Sequence, residues 1–180
     1  MNLELLKKDC SIKQKKGIHF IIASIFIWFI ILIVQLTNLP IITKNLLTFC
    51  CTAPLIPLSF LISKVLKIKF SDKSNPLNTL GIIFSVNQII YLLIPMWFFN
   101  AIPNKMLMVF AMIFGAHLFP FSWLYDSKSY LVLSIIIPIL SLIVGLNFEN
   151  YILALIILVI EIIFAISLFF ENKKQETKVN

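Results

Sequence analysis

Residues 151–170 read YILALIILVIEIIFAISLFF, twenty positions in which Glu161 is the one charged side chain. A hydrocarbon layer of about 30 Å is crossed by about 20 helical residues. The run therefore has the length and the composition of a membrane span. Towards the N-terminus five more such stretches follow: Tyr130–Leu146, Met106–Tyr125, Leu77–Phe99, Leu46–Ser63 and Ile18–Asn38. Turn and charge signals separate them, among them Asn38-Leu39-Pro40, Asn75-Pro76, Asp126-Ser127-Lys128 and Asn147 to Asn150. Of the 180 residues, 60% are apolar and 13% charged. Soluble domains hold about half and a quarter, so a water-soluble globule, a disordered chain and a disulfide scaffold are all excluded. Strand alternation is absent, which argues against a β-barrel. The expected fold is all-α: an integral membrane bundle of about six helices spanning 18–170. A basic tail at 1–17 precedes it and a charged tail at 171–180 follows.

Lysine placement gives an orientation. All fifteen basic residues are Lys, and thirteen fall on one side of the six-span scheme. They occupy the first tail, the second-to-third connection (Lys64, Lys67, Lys69, Lys73), the fourth-to-fifth turn and the last tail. Lys44 and Lys105 alone fall on the other. The positive-inside rule places both termini in the cytoplasm. The net charge of +7 is then topogenic rather than a sign of nucleic-acid binding, with a lipid or protein contact at Lys64–Lys73 as the alternative. Leu3, Leu6 and Cys10 share one helical face, which allows the first tail to lie along the membrane surface. The first apolar stretch lacks an A-x-A-like site, so it is expected to be an uncleaved span.

Two stretches at an offset of 63 residues match: APLIPLSFL (53–61) and AHLFPFSWL (116–124). They suggest related helical hairpins in spans one–two and three–four; chance similarity among membrane helices rich in Ala, Leu, Pro and Ser is the competing account. FCC (49–51), NPL (75–77), LG (80–81), NQ (87–88) and above all FGAHLFPFSWLY (114–125) carry a resemblance. The chain resembles a family of small uncharacterised bacterial multi-pass membrane proteins, a domain of unknown function. The resemblance implies a bacterial cytoplasmic membrane and assigns no activity.

Polar groups at mid-span are the candidate site, because an ionisable residue at the bilayer centre costs about 2.5–3.5 kcal/mol on insertion scales. Glu161 lies halfway along the last span, on a face shared with Ala154, Leu158, Ala165 and Leu168. His117 lies near the middle of span four, Asn87, Gln88 and Tyr91 near that of span three, and Ser141 in span five. Unpaired polar groups are costly in lipid, so these are expected to turn inward and find one another. Pro54, Pro57 and Pro120 mark candidate helix breaks, read as kinks or as the lining of a substrate cavity.

Other chemistries lack their parts. Two histidines cannot form HExxH, G-x-S-x-G and a phosphate loop are absent, and no Arg is available. Asp occurs only at 9, 72 and 126, so no intramembrane aspartyl pair exists. Cys50-Cys51 without a third soft ligand is expected to pack rather than bind metal. Neither catalysis nor a cofactor is expected. The reading leans to a small permease or proton-linked transporter using Glu161 and His117. The alternative is a non-transporting membrane partner: an accessory subunit, an immunity protein or a sensor-associated protein. Beyond the lipid bilayer, the expected contacts are another membrane protein or a second copy; the sequence does not name a substrate.

The lysine asymmetry predicts that reporters fused after residue 180 or near Lys69 behave as cytoplasmic, and those near Lys105 or Glu149 as external. An external signal from the C-terminal fusion contradicts the six-span scheme.

Overall fold

The computed structural model describes residues 2–70 and 74–177; Asp72, Lys73 and Lys178 lie outside them. Among the described residues the structure is helical throughout, with six helical segments long and apolar enough to cross a membrane. They are Lys15–Leu36, Ile41–Val65, Pro76–Ala101, Pro103–Tyr125, Lys128–Asn147 and Asn150–Gln175, here spans 1 to 6. The expected boundaries are met to within a few residues. Ahead of them runs α1 (Leu3–Lys13), N-capped by Asn2, whose side chain accepts from the Glu4 amide at 3.0 Å. The last helix continues to Thr177, through the segment read as a charged tail.

Between α1 and α2 (Ile18–Leu36), at the start of span 1, the chain turns through three residues with positive φ: Lys15 at 44°, Lys16 at 52° and Gly17 at 68°. Left-handed backbone is costly for residues with a Cβ. At Gly17 space is short as well, since a Cβ would meet the Tyr125 and Tyr130 side chains at 3.2 Å. The turn lays α1 across the ends of the later spans rather than in line with span 1.

Spans 2, 3 and 4 are each broken, and for one reason. A proline clashes with the carbonyl four residues earlier and supplies no amide to it. Counting back four from Pro57, Pro95 and Pro120 gives Ala53, Tyr91 and Ala116. Span 2 divides there into α3 (Ile41–Thr52) and α4 (Leu55–Val65). Span 3 divides into α5 (Pro76–Tyr91) and α6 (Leu93–Ala101), and span 4 into α7 (Met106–Ala116) and α8 (Phe119–Tyr125). Pro138 interrupts nothing in span 5, which is continuous. The two similar nonapeptides both sit on such breaks.

Span 1 (α2, Ile18–Leu36) packs most extensively on span 6 (α10, Asn150–Thr177), and α7 on span 5 (α9, Lys128–Asn147). Trp28 joins the two pairs, its ring 5.9 Å from Phe110 and 5.6 Å from Phe114. Span 5 approaches span 4 closely because two glycines permit it: a Cβ on Gly115 would meet Ile137 at 2.6 Å, and one on Gly145 would meet Met108 Cβ at 2.6 Å. Spans 2 and 3 stand outside this core. Half of the most apolar stretch of span 1 is buried, but only 17% of that of span 2 and 6% of that of span 3.

Candidate functional site

Glu161 is fully buried in the contact between spans 1 and 6. Its helix face is the one the sequence indicates: Ala154, Leu158 and Leu168 are buried with it, and Ala165 is half-buried. On the facing helix Ala23 has no exposed surface. Small residues on both sides let the backbones approach. Glu161 Oε2 is hydrogen-bonded to Ser24 Oγ, which also donates to the Ile21 carbonyl at 2.8 Å. A serine hydroxyl has one proton. A neutral carboxyl that donates its own proton to Ser24 therefore satisfies both contacts together. Glu161 Oε1 has no partner among the described residues, which a neutral carbonyl oxygen tolerates better than a carboxylate does.

The other expected site residues do not join it. His117 is half-buried at the end of α7, where its Nδ1 is hydrogen-bonded to the Phe114 carbonyl and its ring lies against Phe114 and Phe121. Contacts lead from Phe121 to Tyr130 and from Tyr130 to Phe164, one turn from Glu161. Ring contacts thus run from the imidazole to the helix that carries the carboxyl, and the two groups share no hydrogen bond among the described residues. Gln88 is half-buried on α5, whose contacts with α8 run through Gly81 against Leu124 and Phe84 against Phe121 at 5.7 Å. Asn87 and Tyr91 face outward instead. Helical geometry separates neighbours such as Asn87 and Gln88 by about 100°, and on this thinly buried span only Gln88 turns inward. Pro54 and Pro57 are exposed and Pro120 is half-buried. The first break therefore faces away from the core. Ser141 is buried with its hydroxyl unpartnered among the described residues.

A second polar assembly, at the lysine-rich end, was not visible in the sequence. Lys16 is 5% exposed. Its ammonium lies 3.2 Å from Glu171 Oε2 and donates to the carbonyls of Tyr125 at 3.0 Å and Asp126 at 3.2 Å. Glu171 in turn accepts from Ser127 Oγ and Ser129 Oγ, each at 2.7 Å, and from the Ser129 amide at 3.0 Å. Tyr130 OH donates to the Lys16 carbonyl at 2.9 Å, and Asn172 Nδ2 to that of Lys15 at 2.9 Å. Asn78 Oδ1 accepts from Gln14 Nε2 at 2.7 Å and from Cys10 Sγ at 3.4 Å, while Ser11 Oγ donates to the Tyr125 carbonyl at 3.1 Å. Thus α1 is held to spans 3, 4 and 6 by polar contacts on a face whose buried residues are Cys10 and Ser11. No motif announces these contacts; the nearest signal is that Lys16 adjoins Gly17 and the first apolar residue. Lys64 and Lys7 lie over aromatic rings, Phe60 at 4.4 Å and Trp123 at 4.8 Å.

Among the described residues, no group of three or more His, Cys, Asp or Glu is placed to hold a metal ion. A family model described as a family of unknown function (DUF7010) matches residues 3–171. No curated protein and no solved structure matches the chain.

Removing the ammonium of Lys16 strands Glu171 and two helix-end carbonyls. Lys16→Met is expected to lower stability in lipid or detergent by about 2 kcal/mol, below the fully buried case because Glu171 is partly exposed. Lys69→Met, at an exposed position, is expected to stay within about 0.5 kcal/mol of the parent. Equal thermal midpoints for the two variants would remove the structural role given to Lys16.

Proposed function

The chain belongs to the family of unknown function DUF7010, and we propose that it works by contact inside the bilayer, as a non-transporting membrane partner. The supporting observation is the place of Glu161. This mid-span carboxyl is shut between two helices that pack through small residues, and it is bonded to Ser24. A polar group so placed serves assembly, as interhelical hydrogen bonds do, with about 0.6 and at most about 1.7 kcal/mol apiece in a membrane protein. A proton-linked permease needs its carboxyl to change partner and charge as substrate moves. His117, the proposed exchange partner, lies in another helix contact and shares no hydrogen bond with Glu161 among the described residues. The weak burial of spans 2 and 3 fits the same reading, since it leaves long apolar faces for another membrane helix to cover. The membrane is proposed to be the bacterial cytoplasmic membrane, with both termini inside.

The test is complementation of a strain lacking the protein, scored beside its abundance in the membrane. Glu161→Gln keeps the shape and can still hydrogen-bond to Ser24, so it is expected to complement fully at near-parental abundance. Glu161→Leu removes the bond and is expected to fail with reduced abundance. Loss of function in Glu161→Gln at parental abundance would overturn the contact reading and favour the proton-linked permease.

A further inference from the structure

The outward side of α5 combines three observations. Span 3 is the least buried of the six, at 6%. Asn87, halfway along it, is exposed, and among the described residues no hydrogen bond reaches its side-chain amide. Ile83, Asn87 and Ile90 recur on α5 at spacings of four and three, and all are exposed. In water an exposed asparagine needs no explanation. Within hydrocarbon the same amide lacks partners for two donors and an acceptor. Something other than lipid must meet this face.

We propose that it is a second copy of the chain, docked through α5 as a parallel, in-register pair. The four-three spacing along α5 is that of the seam of a two-stranded left-handed helix pair, in which a single polar residue among apolar ones fixes register and partner number. Copies inserted in the same orientation are related by a two-fold axis along the membrane normal, which sets every residue at the depth of its own counterpart. An asparagine can answer its counterpart, because the amide is donor and acceptor at once. A lysine or glutamate at this position would repel its own copy. The stripe itself carries no charge, so nothing on it calls for a charged partner helix. Ile83 and Ile90 supply apolar contact above and below the amide. The inference rests on the contact reading of function and names the partner.

Single cysteines at Ile83, Ile90 and Ile89 test it, in the full-length chain with Cys10 replaced by Ser and Cys50 and Cys51 by Ala, reconstituted in vesicles. Ile89 is also exposed, but it lies about 200° around the helix from Asn87. Under a membrane-permeant oxidant, Ile83→Cys and Ile90→Cys are expected to form disulfide-linked dimers at least tenfold more than Ile89→Cys. Adding Asn87→Leu to Ile90→Cys is expected to cut the dimer several-fold at high dilution in lipid, whereas Asn87→Gln retains most of it. These positions face outward, so the fold tolerates each change. Cross-linking of Ile90→Cys no greater than that of Ile89→Cys, or a dimer indifferent to Asn87→Leu, would overturn the proposal. If Glu161→Gln still complements in that case, the contact reading stands with another protein on this face. If Glu161→Gln fails while the dimer forms, the contact reading fails and the interface survives it.

Discussion

Each helix ends with carbonyls that have no intrahelical donor. At the edge of a hydrocarbon layer such carbonyls need a partner that reaches them. In this protein lysines do so at four span ends. Lys44 donates to the Gln35 carbonyl at the end of span 1, at 2.9 Å. Lys15 reaches Leu66 after span 2, at 3.3 Å, and Lys16 reaches Tyr125 and Asp126 after span 4. Lys105 donates to the Gly145 carbonyl near the end of span 5, at 2.7 Å. A cation there also meets the negative end of the helix dipole. A lysine suits the task because its apolar stem can lie along the helices while the ammonium meets the carbonyls. Three of the four join segments 40 or more positions apart, and Lys44 ties the start of span 2 to the end of span 1, so the helix ends are held to one another as well as satisfied. The two lysines that oppose the charge asymmetry, Lys44 and Lys105, are both caps.

Polarity then grades along the contact of spans 1 and 6. Near the lysine-rich end it holds an ion pair, Lys16 with Glu171, fully dressed by hydroxyls and carbonyls. Ten residues deeper, about 15 Å along the helix, the polar pair is Ser24 with Glu161, which a neutral carboxyl can complete. The rings of Tyr130 and Phe164, 4.8 Å apart, lie between. Charge separation is cheap only where water is near, and the order of the two pairs follows that cost. Both pairs join residues more than 130 positions apart, closing the last span onto the first.

Six spans were legible because hydrocarbon imposes length and composition on each helix separately, and the breaks of spans 2 and 4 because proline acts locally on the carbonyl four residues back; the break before Pro95 was not singled out, and Pro138 leaves its helix whole. Glu161 was legible as an anomaly in a run such as 151–170. Its partner was not: Ser24 is an ordinary serine 137 positions away, and membrane helices carry many. Azimuth was the main loss. Asn87 and Gln88 were read as one inward-turning pair, although adjacent helical residues point apart. Lys16 was read as a topogenic charge like its neighbours, because burial of a lysine depends on a turn of three positive-φ residues that composition does not reveal. His19 attracted no notice at the start of an apolar run, yet it is fully buried beside Phe20 and Phe70, with ring centroids at 4.5 and 5.6 Å.

Glu161 closes the contact between the first and last spans through Ser24. A double-mutant cycle of Ser24→Ala and Glu161→Leu, read as unfolding free energy of the protein in lipid, measures that bond directly. A coupling of about 0.5–1.5 kcal/mol is expected, the range of interhelical hydrogen bonds in membranes. Two single losses that simply add, with a coupling below about 0.3 kcal/mol, would contradict it.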